Sequence, residues 1–329
     1  MLRSFLGDVP VHELGSAGPR QQALGPLLAL EYVRRSVGAS LRALPAADVV
    51  VAASHFAPDA AALAALVRRG SLGVGYVYHL VANRQGLDPR TLWSKGDERA
   101  GLALLRRFAA VVFVSNKRTA AALASRGFDP VETRVGVDLR AFAPAAGAER
   151  GPKAAFVGRM VRTKGVTDAV EAWAWVRRAV PDARLVMVGA GPERESAEAA
   201  ARRLGIADSV EWRGFVSEEE KRQVLRGSRL LMAPSYEEGW GISVCEALAS
   251  GLPVVAYRLP VLDELFGSAY LGADPGDVAG LGALAVRVLT DDTLAAGLAQ
   301  LGRETAARYD VNDVAEAELE TILRRVRSA

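Results

Sequence analysis

Pro234-Ser-Tyr-Glu-Glu-Gly-Trp-Gly-Ile-Ser-Val-Cys-Glu246-Ala-Leu-Ala-Ser-Gly-Leu-Pro-Val-Val-Ala256 is the stretch on which the reading of this chain turns. The apolar run Leu230–Ala233 ends just before it and reads as a strand. Gly239 and Gly241 then remove the Cβ atoms that would keep a ligand off the backbone. A helix is expected to start near Ser243, so that its unpaired N–H groups and positive dipole end favour a phosphate in the loop. Glu238 and Glu246 place two carboxylates along the same rim. A carboxylate beside a phosphate site suits neutral hydroxyl donors, because it would repel the anion itself, and sugar hydroxyls are the obvious candidates. Plainer readings stand beside these. Ser243-x-x-Glu246 spells a capping box, in which Glu246 would only bond back to the cap residue. Trp240 reads equally as a buried anchor, Glu237 as a solvated charge and Cys245 as a small core hydrophobe.

Outward from this stretch the same alternation repeats. Apolar runs at 154–157, 185–188, 210–212 and 253–257 are separated by helix-like segments at 167–179, 193–204, 217–226 and 243–249. Short buried strands alternating with helices read as βαβ units of a parallel sheet. Ser217 with Glu220 is a capping box opening one helix, and Gly251 followed by Pro253 ends another. The N-terminal half repeats the theme with strand candidates at Val9–Leu14, 48–53, 75–79 and 111–115, and helices at 60–69 and 118–126. The aperiodic stretch 141–152 reads as the junction. The chain is therefore expected to be α/β, with two Rossmann-like domains facing across a cleft. Residues 1–146 form the first, 147–310 the second, and 311–329 an amphipathic C-terminal helix.

Composition bounds the function. With 329 residues, half of them apolar and 24% charged, the chain reads as an ordinary globular protein of two domains, at about 150 residues each. The longest segment without Asp, Glu, Lys or Arg, 70–83, is shorter than the roughly 20 residues of a membrane span. Residues 1–20 lack the pattern of a signal peptide. A single cysteine excludes an internal disulfide and fits a reducing, cytoplasmic compartment. Lys+Arg outnumber Asp+Glu by only 41 to 38 and lie scattered, so no nucleic-acid partner is expected.

A second constellation, Phe156-Val-Gly-Arg159-Met-Val-Arg-Thr-Lys164-Gly165, occupies the turn from a strand into a helix. Cations at the carboxyl end of a strand and the start of a helix suit a diphosphate, Arg gripping it bidentately and Lys adding a point charge.

Glu238-x7-Glu246 with Gly-Trp-Gly between, followed by Ala-Ser-Gly-Leu-Pro-Val-Val-Ala, resembles the E-x7-E signature of retaining GT-B glycosyltransferases, family 4. Gly158-Arg159 through Lys164-Gly165 is similar to that family's diphosphate loop, Val186-Met-Val-Gly-Ala-Gly-Pro-Glu193 to its G-x-G-P strand end, and Trp212-Arg-Gly-Phe-Val216 to its base-binding segment. The resemblance implies that Arg159 and Lys164 stabilise the leaving nucleoside diphosphate. It implies that Glu246 holds the ribose hydroxyls and Glu238 the donor sugar, that backbone N–H groups of Gly239, Trp240, Gly241 and Ile242 line the pyrophosphate and sugar alongside Gly158, and that backbone groups near Val216 read the base. It places His79 near the donor sugar and makes Asp59, Ser115 and Asn116 weaker N-domain matches. The N-terminal domain departs from the pattern. The expected first strand and glycine-rich loop are missing, or Gly15-Ser-Ala-Gly18 is a remodelled loop, or Met1 is not the native start.

The function implied is transfer of a hexosyl-type sugar from a nucleotide-sugar donor to a carbohydrate, lipid-linked or small-molecule acceptor, a lipid-linked one placing the protein at the inner membrane face. No Asp-x-Asp occurs and the three histidines and one cysteine form no zinc pattern, so no metal or other cofactor is expected. A dinucleotide oxidoreductase would rest on Gly189-Ala-Gly191-Pro-Glu-Arg194, which lacks the third glycine of G-x-G-x-x-G. An isomerase on the same fold would leave the family-specific loops unexplained. The remaining alternative is a non-catalytic GT-B scaffold subunit, suggested by the short N-terminal domain.

Overall fold

The computed structural model describes residues 47–80, 89–144 and 151–328. Val9–Leu14 and Gly15–Gly18 lie outside the described residues. The chain divides into two compact units, Met1–Arg134 with Asn312–Ala329, and Val135–Val311.

In the first unit β1 (Val49–Ala52), β2 (Leu72–Val77), β3 (Val111–Val114) and β4 (Pro130–Glu132) pair in parallel and in chain order. Parallel neighbours need crossovers, which α1 (Ala57–Val67), α2 (Pro89–Phe108) and α3 (Lys117–Ala124) supply. β3 reads Val-Val-Phe-Val and is buried at every position, as a strand covered on both faces must be. Leu63, Leu105 and Leu123 pack on one face with Val77 and Val114. Val74, Tyr76 and Phe113 meet Ile322 of α11 (Val311–Ser328) on the other. Gly75 lets α2 settle close, since a Cβ there would lie 2.9 Å from Leu105 Cδ2. Glu318 of α11 accepts a 2.5 Å bond from the Tyr76 hydroxyl and a 2.6 Å bond from Thr133 Oγ1.

The second unit holds β5 (Lys153–Val157), β6 (Arg184–Val188), β7 (Val210–Gly214), β8 (Leu230–Ala233), β9 (Val254–Tyr257) and β10 (Leu271–Ala273). They form one parallel sheet in the order β10-β9-β8-β5-β6-β7. The crossovers are α4 (Val166–Ala179), α5 (Arg194–Arg203), α6 (Glu218–Arg226), α7 (Ile242–Ala249) and α8 (Pro260–Phe266), with α9 (Val278–Thr290) and α10 (Asp292–Ala306) following β10. Strand residues alternate between two cores. Phe156, Leu230, Met232 and Tyr257 face one with Trp173, and Ala155, Leu231, Val254 and Ala256 face the other with Leu248. Both faces are apolar, which is why these strands read as continuous apolar runs.

The division falls at Arg134/Val135, ahead of the 146/147 boundary expected from sequence. Residues 135–144 belong to the second unit for identifiable reasons. Val137 N donates to the Tyr309 carbonyl at 2.8 Å, Phe142 is buried, and Arg226 donates to the carbonyls of Ala141 at 2.6 Å and Ala143 at 3.2 Å.

Candidate active site

The strand order reverses between β5 and β8: the chain runs outward through β6 and β7 on one side, then returns to build β8, β9 and β10 on the other. Loops leaving the carboxyl ends of two such strands diverge and open a crevice, where ligands bind in parallel α/β sheets. The loop after β5 carries Gly158, Arg159 and Lys164, and the loop after β8 carries Ser235 to Gly241.

The backbone locks these loops together. Tyr236 N donates to the Thr163 carbonyl at 2.9 Å. Gly165, left-handed at φ +61°, caps α4, and a Cβ there would sit 2.0 Å from the Pro234 carbonyl oxygen. The first loop is also pinned to the turn after β6, with Gly158 N donating to Val188 O at 3.0 Å and Met160 N to Ala190 O at 2.9 Å. Side chains add a third tie. The hydroxyls of Tyr236 and Tyr257 both donate to Oδ2 of Asp168, in the first turn of α4, at 2.6 Å. Bonding to Asp168 and partial burial hold the Tyr236 phenol above its ordinary pKa.

Both glutamates are held by lysines. Glu238 accepts from Lys164 Nζ at 2.6 Å and Ser235 Oγ at 2.7 Å, both through Oε1. Glu246, buried on α7, accepts from Lys221 Nζ at 2.8 Å through its own Oε1. Among the described residues Oε2 of each carboxylate has no hydrogen-bond partner. Burial pushes the Glu246 carboxyl above the usual range, with the Lys221 bond pulling the other way. Burial also acts against the Lys221 ammonium, but its two carboxylate partners, Glu218 and Glu246, outweigh that and raise its pKa. Among the described residues Arg159 forms no ion pair and is exposed on its loop.

The helix starts where expected, near Ser243, but without the alternative capping box. α7 begins at Ile242, capped by Gly241 in the left-handed region at φ +96°, with no side-chain cap. Ser243 is therefore inside the first turn, and the Ser243–Glu246 capping box does not form. The N–H groups of that turn have no intrahelical acceptor. The Ser217–Glu220 box does form, with Ser217 N to Glu220 Oε2 at 2.9 Å and Glu220 N to Ser217 Oγ at 3.2 Å.

Trp240 is expected to line the donor through its backbone, and its side chain is 4% exposed. Its ring stands edge-on to Phe266 and Tyr309, at centroid distances of 5.5 and 5.0 Å. It anchors the loop from below, so only its backbone is placed to meet a ligand. Cys245 is buried in the same core, which pushes its thiol pKa up. Val216 lies half-buried between β7 and α6, beside Phe215 at 90% exposure.

His79 belongs to the first unit, where it follows β2 with an exposed side chain and meets His55 edge-on at 6.0 Å. The weaker matches there carry structural duties. Asp59 accepts from Ser54 Oγ at 2.6 Å, Asn116 caps α3 by accepting from Thr119 N at 2.8 Å, and Ser115 Oγ donates to the Tyr78 carbonyl at 3.1 Å. Three participants escaped the sequence reading: Lys221, Ser235 and the Asp168–Tyr236–Tyr257 cluster. Only Lys221 left a trace, as one of five lysines in an Arg-rich chain.

Two carboxylates, two cations and a helix start without a side-chain cap thus gather at the switch point of a parallel sheet in a Rossmann-like unit, where such folds bind ligands. The chain belongs to the glycosyl transferases group 1 family, whose model matches residues 140–305. It is 34% identical over 221 residues to 2-deoxystreptamine glucosyltransferase of Streptomyces kanamyceticus, covering 62% of this chain and 57% of that protein. It is 39% identical over 137 residues to D-inositol 3-phosphate glycosyltransferase of Segniliparus rotundus, covering 38% and 30%. The chain thus spans from under a third to just over half of the length of these relatives. The fold is that of GT-B glycosyltransferases. Sucrose-phosphate synthase from Thermosynechococcus elongatus superposes with a TM-score of 0.76 at 20% identity, over 95% of this chain and 82% of the other. Anabaena HepE, in complex with UDP and glucose, gives 0.71 at 19%, over 94% and 84%. Among the described residues no helix is long and apolar enough to cross a membrane.

Proposed function

We propose that this chain transfers a hexosyl-type sugar from a nucleoside-diphosphate sugar to an acceptor hydroxyl, with retention of configuration and without a metal. The observation that carries the reading is the pair Glu238 and Glu246, each with one oxygen on a lysine and the other without a partner among the described residues, on either side of a helix start that has no side-chain cap, at the switch point. In this reading the diphosphate lies against the first-turn N–H groups of α7, with Arg159 and Lys164 neutralising its charge. Oε2 of Glu246 accepts from the ribose and Oε2 of Glu238 from the sugar, while the backbone near Gly158, Val216 and Gly239 to Ile242 lines the donor. The bond from the anomeric carbon to the diphosphate oxygen breaks. The acceptor oxygen bonds to the same face, and its proton passes to the departing phosphate. The protein's share is stabilising the leaving charge and excluding water. The family resemblance, rather than any distance, assigns His79 to the donor sugar.

The test is calorimetric titration with UDP, GDP and ADP, with and without EDTA, on wild type and Glu246→Ala. One nucleotide is expected to bind, unaffected by EDTA and weakened by the substitution, and the matching sugar donor is then assayed for turnover. Absence of binding by all three would overturn the reading and bring the scaffold alternative forward.

A further inference from the structure

Lys221 is one turn into α6, and its mount is rigid at both ends. The Ser217–Glu220 capping box fixes the helix start. Arg226, in the last turn, holds the carbonyls of Ala141 and Ala143. From this mount the side chain reaches across to α7, where Nζ lies 2.8 Å from Oε1 of Glu246. The same ammonium is 2.8 Å from Oε2 of Glu218 and stands over the Phe142 ring, 5.4 Å from its centroid. Lys221 is 15% exposed and Glu246 8%, whereas Glu218 is 71% exposed. The ammonium is thus confined by an aromatic face below, a solvated carboxylate on its own helix and a buried carboxylate across the gap. Among the described residues Lys221 is the only side chain bonded to the Glu246 carboxylate.

A buried carboxylate with two free oxygens can rotate, and burial favours its neutral form. Engaging one oxygen fixes the rotamer and the charge together, which leaves the second oxygen aimed and ionised. We propose that Lys221 is a positioning residue of the donor site, holding Oε1 of Glu246 so that Oε2 is presented as the acceptor for the ribose hydroxyls. The inference rests on the nucleotide reading of the site and adds a residue to it. It also ties two parts of that site together. Val216 and the cap Ser217 lead directly into α6, whose Lys221 bonds Glu246 on α7, so one lysine links the segment assigned to the base with the carboxylate assigned to the ribose.

The experiment compares, for UDP, GDP and ADP, binding of each ribonucleotide with its 2′,3′-dideoxy counterpart, which removes the hydroxyls and keeps base and diphosphate. Wild type, Lys221→Met, Lys221→Arg, Glu246→Gln and the double variant Lys221→Met/Glu246→Gln are titrated. Wild type is expected to prefer the ribonucleotide by about ten- to a hundredfold, the usual scale for hydrogen bonds to a charged acceptor. Lys221→Met should collapse that preference to within about threefold while leaving dideoxynucleotide affinity unchanged, and Lys221→Arg should restore most of it. In the Glu246→Gln background Lys221→Met should have no further effect on the preference, because the residue acts through that carboxylate. That background also carries no buried charge to strand, so it serves if Lys221→Met alone fails to fold. Full preference retained in Lys221→Met, equal loss for both nucleotide forms, or additive effects in the double variant would each overturn the role of Lys221. If wild type binds both forms equally, ribose recognition fails and this inference with it. If it binds neither form of any nucleotide, the nucleotide reading itself fails.

Discussion

Lys164 Nζ lies 2.6 Å from Oε1 of Glu238, so the cation assigned to the leaving diphosphate and the carboxylate assigned to the donor sugar are ion-paired with each other. Arg159, five residues earlier on the same loop, carries no such partner among the described residues. A diphosphate arriving beside them meets one available guanidinium and one ammonium already shared with a carboxylate. Replacing Lys164 by Ala should cost about ten- to a hundredfold in nucleoside-diphosphate affinity, on the scale of a charge-assisted bond. The loss should shrink at high salt. Calorimetry in low and high salt checks this, and undiminished affinity would remove Lys164 from the diphosphate site.

Acidification should weaken binding through Glu246. Burial raises its pKa, so the ionised form needed to accept from hydroxyls is lost at a higher pH than for an exposed carboxylate. Affinity is expected to fall as pH drops toward and through that raised value. In Glu246→Gln this limb should disappear, leaving weaker binding with little acid dependence. Parallel profiles for the two proteins would show that another group controls the acid limb.

Gly165 and Gly205 separate strain from collision. Both have positive φ, +61° and +70°, but a Cβ at Gly165 would lie 2.0 Å from the Pro234 carbonyl, whereas Gly205 has nothing within 4 Å. Gly205→Ala should cost about 1–2 kcal/mol, the ordinary penalty for a left-handed alanine, and leave binding intact. Gly165→Ala should cost more and also weaken nucleotide binding, because it forces apart the two loops that carry Lys164 and Glu238. Thermal unfolding and titration of both variants check the contrast.

These positions show how much was legible beforehand. The strands β5, β6, β8 and β9 were visible because both of their faces are buried, which turns a period of two into an unbroken apolar run. The Ser217–Glu220 box was visible because it closes within one turn. Lys221 and Glu246 are 25 residues apart and meet only once α6 and α7 pack, so no local pattern announces the pair. The alternative capping box at Ser243 does not form because Gly241 reaches a conformation closed to serine and ends the loop two residues earlier. Trp240 could be read as contact or anchor until Phe266 and Tyr309 were seen around it. The unit boundary moved for a similar reason, since the residues fixing 135–144 come from Arg226 and Tyr309.

Asp168 gives a prediction about the scaffold of the site. Its Oδ2 accepts from Tyr236 on the glycine loop and from Tyr257, which is 0% exposed. Asp168→Ala would leave the buried Tyr257 hydroxyl without this acceptor, at about 1–3 kcal/mol. Tyr236→Phe removes one donor at the partly exposed end and should cost less. Denaturant titration orders the two. Equal costs would mean that the buried hydroxyl finds a replacement partner.

Glu318 supplies the final prediction, in the first unit. It accepts from Tyr76 and Thr133, which favours its charge, yet burial outweighs both bonds and leaves its carboxyl pKa raised. A carboxyl raised in the folded state contributes stability that is complete below its unfolded pKa and is lost as pH rises through the folded one. At neutral pH the protein therefore bears the cost of a buried charge under α11. Glu318→Gln keeps an oxygen acceptor and removes that charge. The variant should unfold at a higher temperature relative to wild type at neutral pH, and its advantage should narrow as pH falls and wild-type Glu318 takes up its proton. Taking the difference between the two proteins cancels the titration of other groups to the extent that they are shared. A difference independent of pH, or one that grows on acidification, would mean that the Tyr76 and Thr133 bonds, rather than burial, govern this carboxylate.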